Sequence, residues 1–462
     1  PSPPAPALPR SSTAITSPST SLRPPPSTAH TASVPPIPAA PFAGPPRGQG
    51  RRLAGVLTAS RGRRAAPAGA LVAATAVFLV TVPLFRHFFD IGVYYGTVNA
   101  WIHHGGHLYD YVRPGSTYGF TYPPFAAVVM APMALVSWPA AVGIGLALSV
   151  LASCLLLYWL FGDVVARQAW RPWFAYTVIG CLFALLEPVN DTFSFGQVNL
   201  LLVALVHLDA RLLATGRGRY AGIATGLAAA VKLTPALFIG YLLVTGRRAQ
   251  AAVAAGTMAA ATLLAAAVDP GASRTFWTGA LFDTGRVGRL SYVSNQSLRG
   301  ALARLAPDAD THTAWLLCAA AVLVVWFVRA RAAVAAGDDR TGFALTGLAA
   351  CLVSPVTWVH HLVWALPALA VLFDTALRRR GRAMPAVCAV LYVLLCSDVV
   401  WLWSDRASGP SAFIGSNAFV WITLGLLVAL PTHEPAPVPG RSGTGQEPGP
   451  PRGPLSARDT CR

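Results

Sequence analysis

Long apolar runs constrain this chain more than any other feature of its sequence. Runs of roughly 15–22 residues alternate with short loops that contain arginine, and a helix needs about 20 apolar residues to cross a bilayer. Only 11% of the residues are charged and 54% are hydrophobic, whereas charged residues make up about 25% of a soluble domain. The sequence therefore predicts an all-α, polytopic integral membrane protein.

The net charge of +17 comes from arginines that lie outside the apolar runs. The arginines lie in short loops and in the first 64 residues, as expected for cytoplasmic segments under the positive-inside rule. This distribution argues against a nucleic-acid partner. Six of the seven cysteines fall within apolar runs at irregular spacing, which is typical of small core residues and not of a disulfide framework or a metal cluster.

Both ends of the chain differ in composition from its apolar middle. Residues 1–67 are rich in proline, serine and arginine, and residues 431–462 are rich in proline and glycine. Such segments cannot bury a core and are predicted to be disordered cytoplasmic tails. The first tail contains no apolar stretch that would serve as a cleavable signal. Residues 68–430 are expected to form one membrane domain.

The order of the arginine clusters predicts the topology. If every cluster is cytoplasmic, the first span leaves the cytoplasm and Arg86–Tyr122 forms a periplasmic first loop. Pro123–Ser137 must then be a short interfacial helix, because a crossing there would place all later clusters outside. The remaining runs alternate without conflict, which gives about twelve transmembrane helices and two cytoplasmic termini. The predicted spans are Ala68–Phe85, Trp138–Phe161, Trp173–Leu186, Val198–Leu213, Tyr220–Val231, Pro235–Thr245, Ala252–Val268, Thr313–Val328, Gly342–Val356, His361–Thr375, Met384–Trp403 and Ala412–Leu430.

Lys232 is the only lysine in the chain and lies within Gly222–Leu243, one of its most apolar stretches. The flanking runs, Tyr220–Val231 and Pro235–Thr245, are about 16–18 Å long at 1.5 Å per residue and cannot cross a bilayer. They should meet partway through, inside protein or beside a water-filled cavity. An ammonium group there is costly and usually faces an anion. The alternative is that Lys232 extends to the lipid headgroups.

Carboxylates, amides and imidazoles concentrate on the side predicted to be outside. Asp90 closely follows the first span, where partial burial would raise its pKa toward that of a useful base; alternatively, it anchors the loop at the interface. The aromatic residues around it fit an interfacial belt or a sugar platform. His103, His104 and His107 have a spacing that could bind a metal, but a solvated loop is the preferred interpretation. The other outer polar residues are Asp110, Glu187, Asp191, Gln197, Asn199, Asn295 and Gln296.

Two adjacent histidines lie at a further outer boundary. Ser354-Pro355 ends one span, since the residue before a proline disfavours helix, and His360-His361 begins the next. Imidazole N–H groups at a helix start can bind a phosphate together with the positive end of the helix dipole. Neighbouring side chains on a helix point about 100° apart, so both cannot face one ligand equally. They are interpreted either as a phosphate site or as interface histidines.

Five motifs occur in order along the membrane domain. They are Asp90–Tyr95 with Gly106–Tyr109 and Phe120–Phe125, then Phe195–Leu201, Gly226–Pro235, Asn295–Leu298 and Ser354–His361. Each motif alone is weak, and their order makes the set specific. Together they resemble glycosyltransferase family 87, the polyprenol-phosphate-mannose-dependent α-mannosyltransferases of actinobacteria, which have a GT-C fold.

The resemblance implies a hexosyltransferase, with α-1,2-mannosyl transfer as the expected reaction. It would move mannose from a polyprenyl-phosphate donor to a glycolipid or mannan acceptor on the outer face of the plasma membrane, with inversion. This reaction requires a carboxylate base and cationic groups near the phosphate. The resemblance makes Asp90 the base, and Lys232 with His360 or His361 the groups that bind the donor phosphate. Hydrogen bonds to the sugar or the acceptor are assigned to Tyr122, Gln197, Asn199, Asn295 and Gln296.

Two further expectations concern cofactors and the competing function. No acidic cluster of metal-ligand type is evident, so no metal cofactor is expected, although a divalent ion held by Asp90 and the phosphate stays open. The alternative function is a transporter or flippase for a lipid-linked or amphipathic solute, since transporters also use broken helices around a charged residue. The absence of an internal repeat counts against it. A purely structural scaffold is disfavoured by the cost of an intramembrane lysine.

Overall fold

The computed structural model describes residues 61–82, 85–379, 381–403 and 409–432. Within these ranges the chain forms helices joined by loops, with two isolated β-bridges and no strand. The all-α prediction is confirmed for this part of the chain. The predicted tails, 1–67 and 431–462, fall mostly outside the described residues, and their disorder stays a prediction. The first described helix begins at Arg61, inside the range predicted as a tail.

The α-helices of the described ranges are numbered here in chain order. They are α1 (Arg61–Thr81), α2 (Phe89–His104), α3 (Pro124–Met130), α4 (Trp138–Arg167), α5 (Pro172–Leu185), α6 (Glu187–Phe195), α7 (Asn199–Ala214), α8 (Ile223–Val231), α9 (Ala236–Val244), α10 (Arg248–Val268), α11 (Pro270–Thr275), α12 (Leu298–Leu305), α13 (His312–Ala335), α14 (Asp339–Val353), α15 (Leu366–Arg378), α16 (Ala383–Cys396), α17 (Pro410–Ser416) and α18 (Ala418–Ala429).

Five helical segments of the described ranges are long and apolar enough to cross a membrane. They are residues 64–81 of α1, α4, α10, α13 and Val359–Arg378, which joins a 3₁₀ turn to α15. Two bent pairs, α5 with α6 (75°) and α17 with α18 (67°), bring the number to seven if each pair is one span. The prediction of twelve spans is not confirmed, because several predicted runs form helices that are short or broken. Helix α16, for example, has 14 residues, and α8 and α9 have nine each.

Helix α14 is almost entirely buried within the described part of the chain. All its residues from Thr341 to Leu352 are buried, and it packs against α9, α13, α15 and α18. A helix without a polar stripe is suited to such an interior position. It ends at Val353, directly before Ser354-Pro355, as the sequence predicts. The chain then runs in extended and 3₁₀ conformation to His361 and reaches the site described below.

Helices α8 and α9 meet at a break of four residues. Lys232 has extended backbone, with φ −149° and ψ 134°, and Pro235 lacks the N–H group that would continue the helix. The break therefore lies where the sequence predicts it, at Lys232–Pro235. Helix α8 also approaches α10 closely. A Cβ atom at Gly226 would lie 2.7 Å from Thr257 Cβ and would overlap the carbonyl oxygen of Ala254.

The segment 86–122, predicted as a loop, contains the 16-residue helix α2. This helix was not predicted. Two glycines let other side chains cross its surface: a Cβ atom at Gly96 would overlap the hydroxyl of Tyr111, and one at Gly92 would overlap the guanidinium of Arg113. Helix α3 and the 3₁₀ turn Ala131–Leu135 after it form the short helical piece predicted over Pro123–Ser137. Its position at a membrane interface stays a prediction.

Candidate active site

A cavity of about 830 Å³ lies among the start of α2, the break between α8 and α9, and the segment after α14. This size is typical of sites for small molecules. The cavity is called the central cavity here and is defined by the polar side chains at its wall: Asp90, Tyr122, Gln197, Lys232, His360 and His361. All six were predicted from the sequence to be site residues, and the fold brings them together from five separate parts of the chain.

Asp90 lies in the first turn of α2, outside the candidate spans. The preceding residues His87 and Phe88 have left-handed backbone, with φ of 51° and 49°, and Arg113 donates hydrogen bonds to the carbonyl oxygens of Phe88 and Phe89. This turn directs the Asp90 carboxylate into the cavity with 21% of the side chain exposed. Burial raises the pKa of Asp90 to about 6, against the opposing effects of a hydrogen bond from Gln197 and the positive charge of Lys232.

A chain of hydrogen bonds leads from Asp90 across the wall of the cavity. Gln197 donates from Nε2 to Asp90 Oδ2 at 3.0 Å, and its Oε1 accepts from the Tyr122 hydroxyl at 3.0 Å. The Tyr122 hydroxyl is also 2.9 Å from that of Tyr94. Gln197 is buried between the end of α6 and the start of α7. Its amide therefore holds the carboxylate on one side and the phenol on the other.

Lys232 completes this chain on the far side of Tyr122. Its Nζ donates to Asn199 Oδ1 at 2.9 Å and to the Tyr122 hydroxyl at 3.4 Å, and it lies 5.1 Å from the centroid of the Tyr122 ring. Among the described residues no carboxylate forms an ion pair with Nζ. The direct contacts of Lys232 are thus with neutral groups, and the Asp90 carboxylate acts on it only from a longer distance, so an anion that enters the cavity would be attracted to the amine.

His361 contacts Lys232 directly, with 3.0 Å between its Nε2 and Lys232 Nζ. The backbone N–H of Trp358 donates to His361 Nδ1 at 3.2 Å, so the proton of a neutral imidazole is assigned to Nε2. With the proton on Nε2, the 3.0 Å contact is a hydrogen bond from His361 to a neutral amine, whereas a protonated amine makes it a contact between two donors. An anion that accepts from both nitrogens would satisfy this pair, as phosphate oxygens do elsewhere.

His360 occupies the Asp90 side of the same cavity. Its Nε2 is 4.0 Å from Asp90 Oδ2, its ring centroid is 4.9 Å from that of Phe195, and neither ring nitrogen has a hydrogen-bond partner within the described part of the chain. The rings of His360 and His361 are nearly perpendicular, at 82°. His360 therefore lies near the Asp90 carboxylate and His361 contacts the Lys232 amine. This agrees with the expectation that the two histidines do not face one ligand equally.

The comparison with known proteins decides the family. The model of glycosyltransferase family 87 matches residues 120–355. A polyprenol-phosphate-mannose-dependent alpha-(1-2)-phosphatidylinositol mannoside mannosyltransferase of Mycobacterium tuberculosis is 31% identical over 382 residues, covering 78% of this chain and 88% of the relative. The chain belongs to glycosyltransferase family 87. It is therefore a glycosyltransferase, and the predicted family is confirmed.

Other relatives of this family 87 protein have similar names. A Mycolicibacterium smegmatis enzyme with the same name is 31% identical over 376 residues, covering 74% of this chain and 85% of the relative. A polyprenol-phosphate-mannose-dependent alpha-(1-2)-phosphatidylinositol pentamannoside mannosyltransferase of M. tuberculosis is 32% identical over 343 residues, covering 72% of this chain and 77% of the relative. No solved structure matches the chain.

Three amides of the family 87 motifs lie behind the cavity wall and not on it. Asn199 is buried and contacts Lys232, as described above. Asn295 Oδ1 accepts from the backbone N–H of Thr357 at 2.9 Å, and the backbone of Asn295 forms a β-bridge with Trp358. Gln296 donates to the carbonyl oxygen of Ser416 at 2.8 Å. Asn295 and Gln296 thus hold the segment that presents the histidines, and their predicted contact with sugar or acceptor stays a prediction that their positions do not support.

Two arginines of the cavity wall were not singled out from the sequence. Arg86 pairs with Asp191 at 3.4 Å, and its guanidinium lies over the rings of Phe195 (5.6 Å) and Trp401 (4.9 Å). Arg286 also lines the cavity and donates to a backbone carbonyl of the first loop. Both lie in loops predicted to be outside, where arginine is disfavoured by the positive-inside rule. That departure from the rule is the signal by which they could have been found.

Metal-binding side chains do not cluster in the described part of the chain, where no group of three or more His, Cys, Asp and Glu residues is placed to hold an ion. His103, at the end of α2, contacts the carbonyl oxygen of Ala134 through Nε2 at 2.9 Å and does not line the cavity. The expectation that the enzyme works without a metal cofactor stays a prediction.

Proposed function

We propose that this family 87 enzyme transfers mannose from a polyprenyl-phosphate donor to a glycolipid or polysaccharide acceptor on the outer face of the membrane. The transfer inverts the anomeric centre, and Asp90 is the general base. The names of the relatives support the donor, the α-1,2 linkage and a phosphatidylinositol mannoside as the class of acceptor.

One observation carries this proposal. The carboxylate of Asp90 and the amine of Lys232 line the same cavity and are joined through Gln197 and Tyr122 by hydrogen bonds of 3.0 to 3.4 Å. A base and a cationic group are therefore held a fixed distance apart, with two further side chains setting the spacing. Glycosyl transfer needs this separation, because the acceptor and the leaving phosphate lie on opposite faces of the sugar in an inverting reaction.

The proposed step conserves atoms and charge within the cavity. The acceptor hydroxyl oxygen forms a bond to the anomeric carbon while the bond from that carbon to the phosphate oxygen breaks. The hydroxyl proton passes to the Asp90 carboxylate, and the electron pair of the broken bond stays on the departing polyprenyl phosphate. A base with a pKa of about 6 is ionised at neutral pH and still accepts a proton effectively.

Lys232 and His361 are proposed to hold the phosphate of the donor. Their nitrogens lie 3.0 Å apart at the cavity wall, close enough to contact one phosphate, and the hydrogen bond to Asn199 holds Lys232 in this position. Negative charge develops on the phosphate as the bond breaks. Hydrogen-bond donors that are already fixed in place therefore lower the barrier without reorganisation. The neighbouring His360, with both ring nitrogens unpartnered among the described residues, is proposed to contact the sugar near Asp90.

The remaining wall suits the other parts of the substrates. Tyr292, Trp358 and Trp401 offer aromatic faces for a sugar ring. Leu233 and Leu237, at and after the break between α8 and α9, offer an apolar surface for the first units of a prenyl chain. Membership of a glycosyltransferase family leaves the predicted alternative, a transporter or flippase, without an observation that favours it.

The product assay tests this proposal. Membranes from a strain that lacks its own copy of the gene are supplied with the protein and with labelled polyprenyl-phosphate mannose, and the linkage in the products is determined. We expect labelled mannose in α-1,2 linkage on a phosphatidylinositol mannoside or a mannan. Label transferred from a nucleotide sugar in the presence of an inhibitor of polyprenyl-phosphate mannose synthesis, and not from the lipid donor, would contradict it.

A further inference from the structure

A second cavity, of about 790 Å³, lies among the start of α1, the end of α4, the start of α5 and the end of α7. It is called the arginine cavity here and is defined by Arg64, Trp159, Trp170, Arg171, Tyr176 and Arg211, which line it. None of its lining residues lines the central cavity. On α7, Arg211 is twelve residues beyond Asn199, which corresponds to about 18 Å along the helix axis. The two cavities are therefore separate sites.

The arginine cavity carries an excess of positive charge. Arg64 is 3% exposed, yet its Nε has no hydrogen-bond partner among the described residues. Arg171, which is exposed, and Arg211, which is half-buried, likewise have no side-chain hydrogen bond or ion pair among the described residues. The one carboxylate that these residues place at the wall, Asp163, lies 3.5 Å from Arg340. A buried cation is costly unless it is paired. The unpaired Nε of Arg64 therefore indicates a binding site for an anion at this position.

The shape and chemistry of the wall indicate which anion would fit. The guanidinium fork matches the oxygens of a phosphate and binds it in a bidentate manner. Trp159, Trp170 and Tyr176 surround the same space, and such rings favour the boundary between lipid headgroups and acyl chains. Basic pockets between helices at the cytoplasmic side of membrane proteins bind the headgroups of acidic lipids. The arginine pattern of the sequence predicts that this end of the bundle is cytoplasmic.

We propose that the arginine cavity binds the phosphate of an anionic phospholipid, with its glycerol and first acyl carbons against the aromatic side chains. Arg64 supplies the buried contact, and Arg171 and Arg211 close the site from its rim. This lipid is bound at the end of the protein opposite the catalytic cavity and is neither the mannosyl donor nor the acceptor. The proposal does not depend on which sugar the enzyme transfers.

Lipid retention by the purified full-length protein tests the proposal. The protein is extracted from membranes, exchanged into detergent with phosphatidylglycerol or phosphatidylcholine, and examined by native mass spectrometry for bound lipid. We expect one tightly held phosphatidylglycerol per molecule of the unmodified protein. Retention should be at least about tenfold weaker in the double variant Arg171→Gln/Arg211→Gln, because each substitution removes a charge-assisted contact to the phosphate. These residues are less buried than Arg64, so the variant tests binding with little risk to folding.

A matched control removes two arginines from the same end but outside the cavity. Arg217→Gln/Arg248→Gln loses the same charge from exposed positions, and its lipid retention should equal that of the unmodified protein. Equal retention of phosphatidylglycerol and phosphatidylcholine, or equal losses in both double variants, would overturn the proposal. Displacement of the lipid by inorganic phosphate at about 10 mM, roughly ten times a millimolar Kd, would assign the site to free phosphate instead and also overturn it.

Discussion

Asp90 combines burial with access to the central cavity. Burial raises its pKa from an ordinary carboxyl value to about 6, so the fold favours the protonated form. The stability that this preference gives is present at low pH and is lost as the pH rises through about 6, when the carboxylate ionises. At neutral pH the ionised carboxylate therefore destabilises the fold, although the proposed chemistry needs it. Such a conflict is typical of functional sites.

The pH dependence of transfer follows from this pKa. Only the ionised Asp90 accepts the proton of the acceptor, so kcat/KM should fall as the pH drops below about 6, approaching a tenfold loss per pH unit. The measurement is kcat/KM of the acceptor between about pH 4 and 8, a range of about two units on each side of that pKa. A profile that stays flat down to about pH 5 would exclude Asp90 as the base.

Lys232 is expected to act on the donor and not on the acceptor. Lys232→Met keeps most of the side-chain volume and removes the amine, so the KM of the lipid donor should rise by roughly one to two orders of magnitude, the effect of losing one or two charge-assisted hydrogen bonds. The acceptor KM should change little. Arg217→Met, which removes a charge from an exposed loop, serves as the control. An unchanged donor KM in Lys232→Met would remove this residue from the phosphate site.

At the scale of elements, the break between α8 and α9 places Lys232 and depends on close packing of α8 against α10. Gly226 allows this approach, because a Cβ atom there would overlap the carbonyl oxygen of Ala254. Glycine at a helix–helix contact brings two backbones together in the membrane. The position of Lys232 thus rests on a glycine six residues earlier in the same helix motif.

Gly226→Ala should therefore destabilise the protein by about 1–3 kcal/mol, the usual cost of overpacking. Gly256→Ala is the matched control, since Gly256 lies on α10 and a Cβ atom there would have no neighbouring atom within 4 Å. This control should be neutral or stabilising by up to about 1 kcal/mol. Thermal unfolding of both variants in the same detergent measures the difference. Equal midpoints would show that the contact between α8 and α10 is looser than this packing requires.

These elements also show what the sequence could and could not predict. The break at Lys232–Pro235 was predictable because two runs too short to span flank a proline. Helix α2 was missed because its glycines and β-branched residues are weak helix formers. It is held by tertiary packing against α3, α4, α6 and the turn Ala131–Leu135, with Ile91, Val93 and Val98 buried. Asn295 and Gln296 were placed at the substrate because an amide in a motif does not reveal which way it points; backbone groups far along the chain satisfy them instead.

For the molecule as a whole, the central cavity and the arginine cavity lie at opposite ends of α7. Asn199 at its start contacts Lys232, and Arg211 near its end lines the arginine cavity. This separation agrees with the predicted topology, in which arginines are cytoplasmic and the catalytic groups face out. The motifs of the sequence singled out six residues of the central cavity, but they also included three amides that lie behind its wall and missed its two arginines. The number of spans depends on bends and breaks that composition does not reveal.

Cysteine labelling tests the sidedness. Pro139→Cys, at the exposed start of α4, should react with a membrane-impermeant maleimide in intact cells, because that end is predicted to face outside. Thr215→Cys, at the exposed end of α7, should react only after permeabilisation. Both substitutions are made with Cys154 and Cys318, which are exposed in the unmodified chain, replaced by serine. Labelling of Pro139→Cys only after permeabilisation would invert the topology.

The central claim is that Asp90 takes the proton of the acceptor while Lys232 and His361 hold the donor phosphate. The most direct test is the single-turnover rate of mannosyl transfer by Asp90→Asn at saturating donor and acceptor. We expect a rate at least about 100-fold below that of the unmodified enzyme, with donor affinity unchanged and thermal stability at neutral pH equal or higher. A rate within a few-fold of the unmodified enzyme would contradict it.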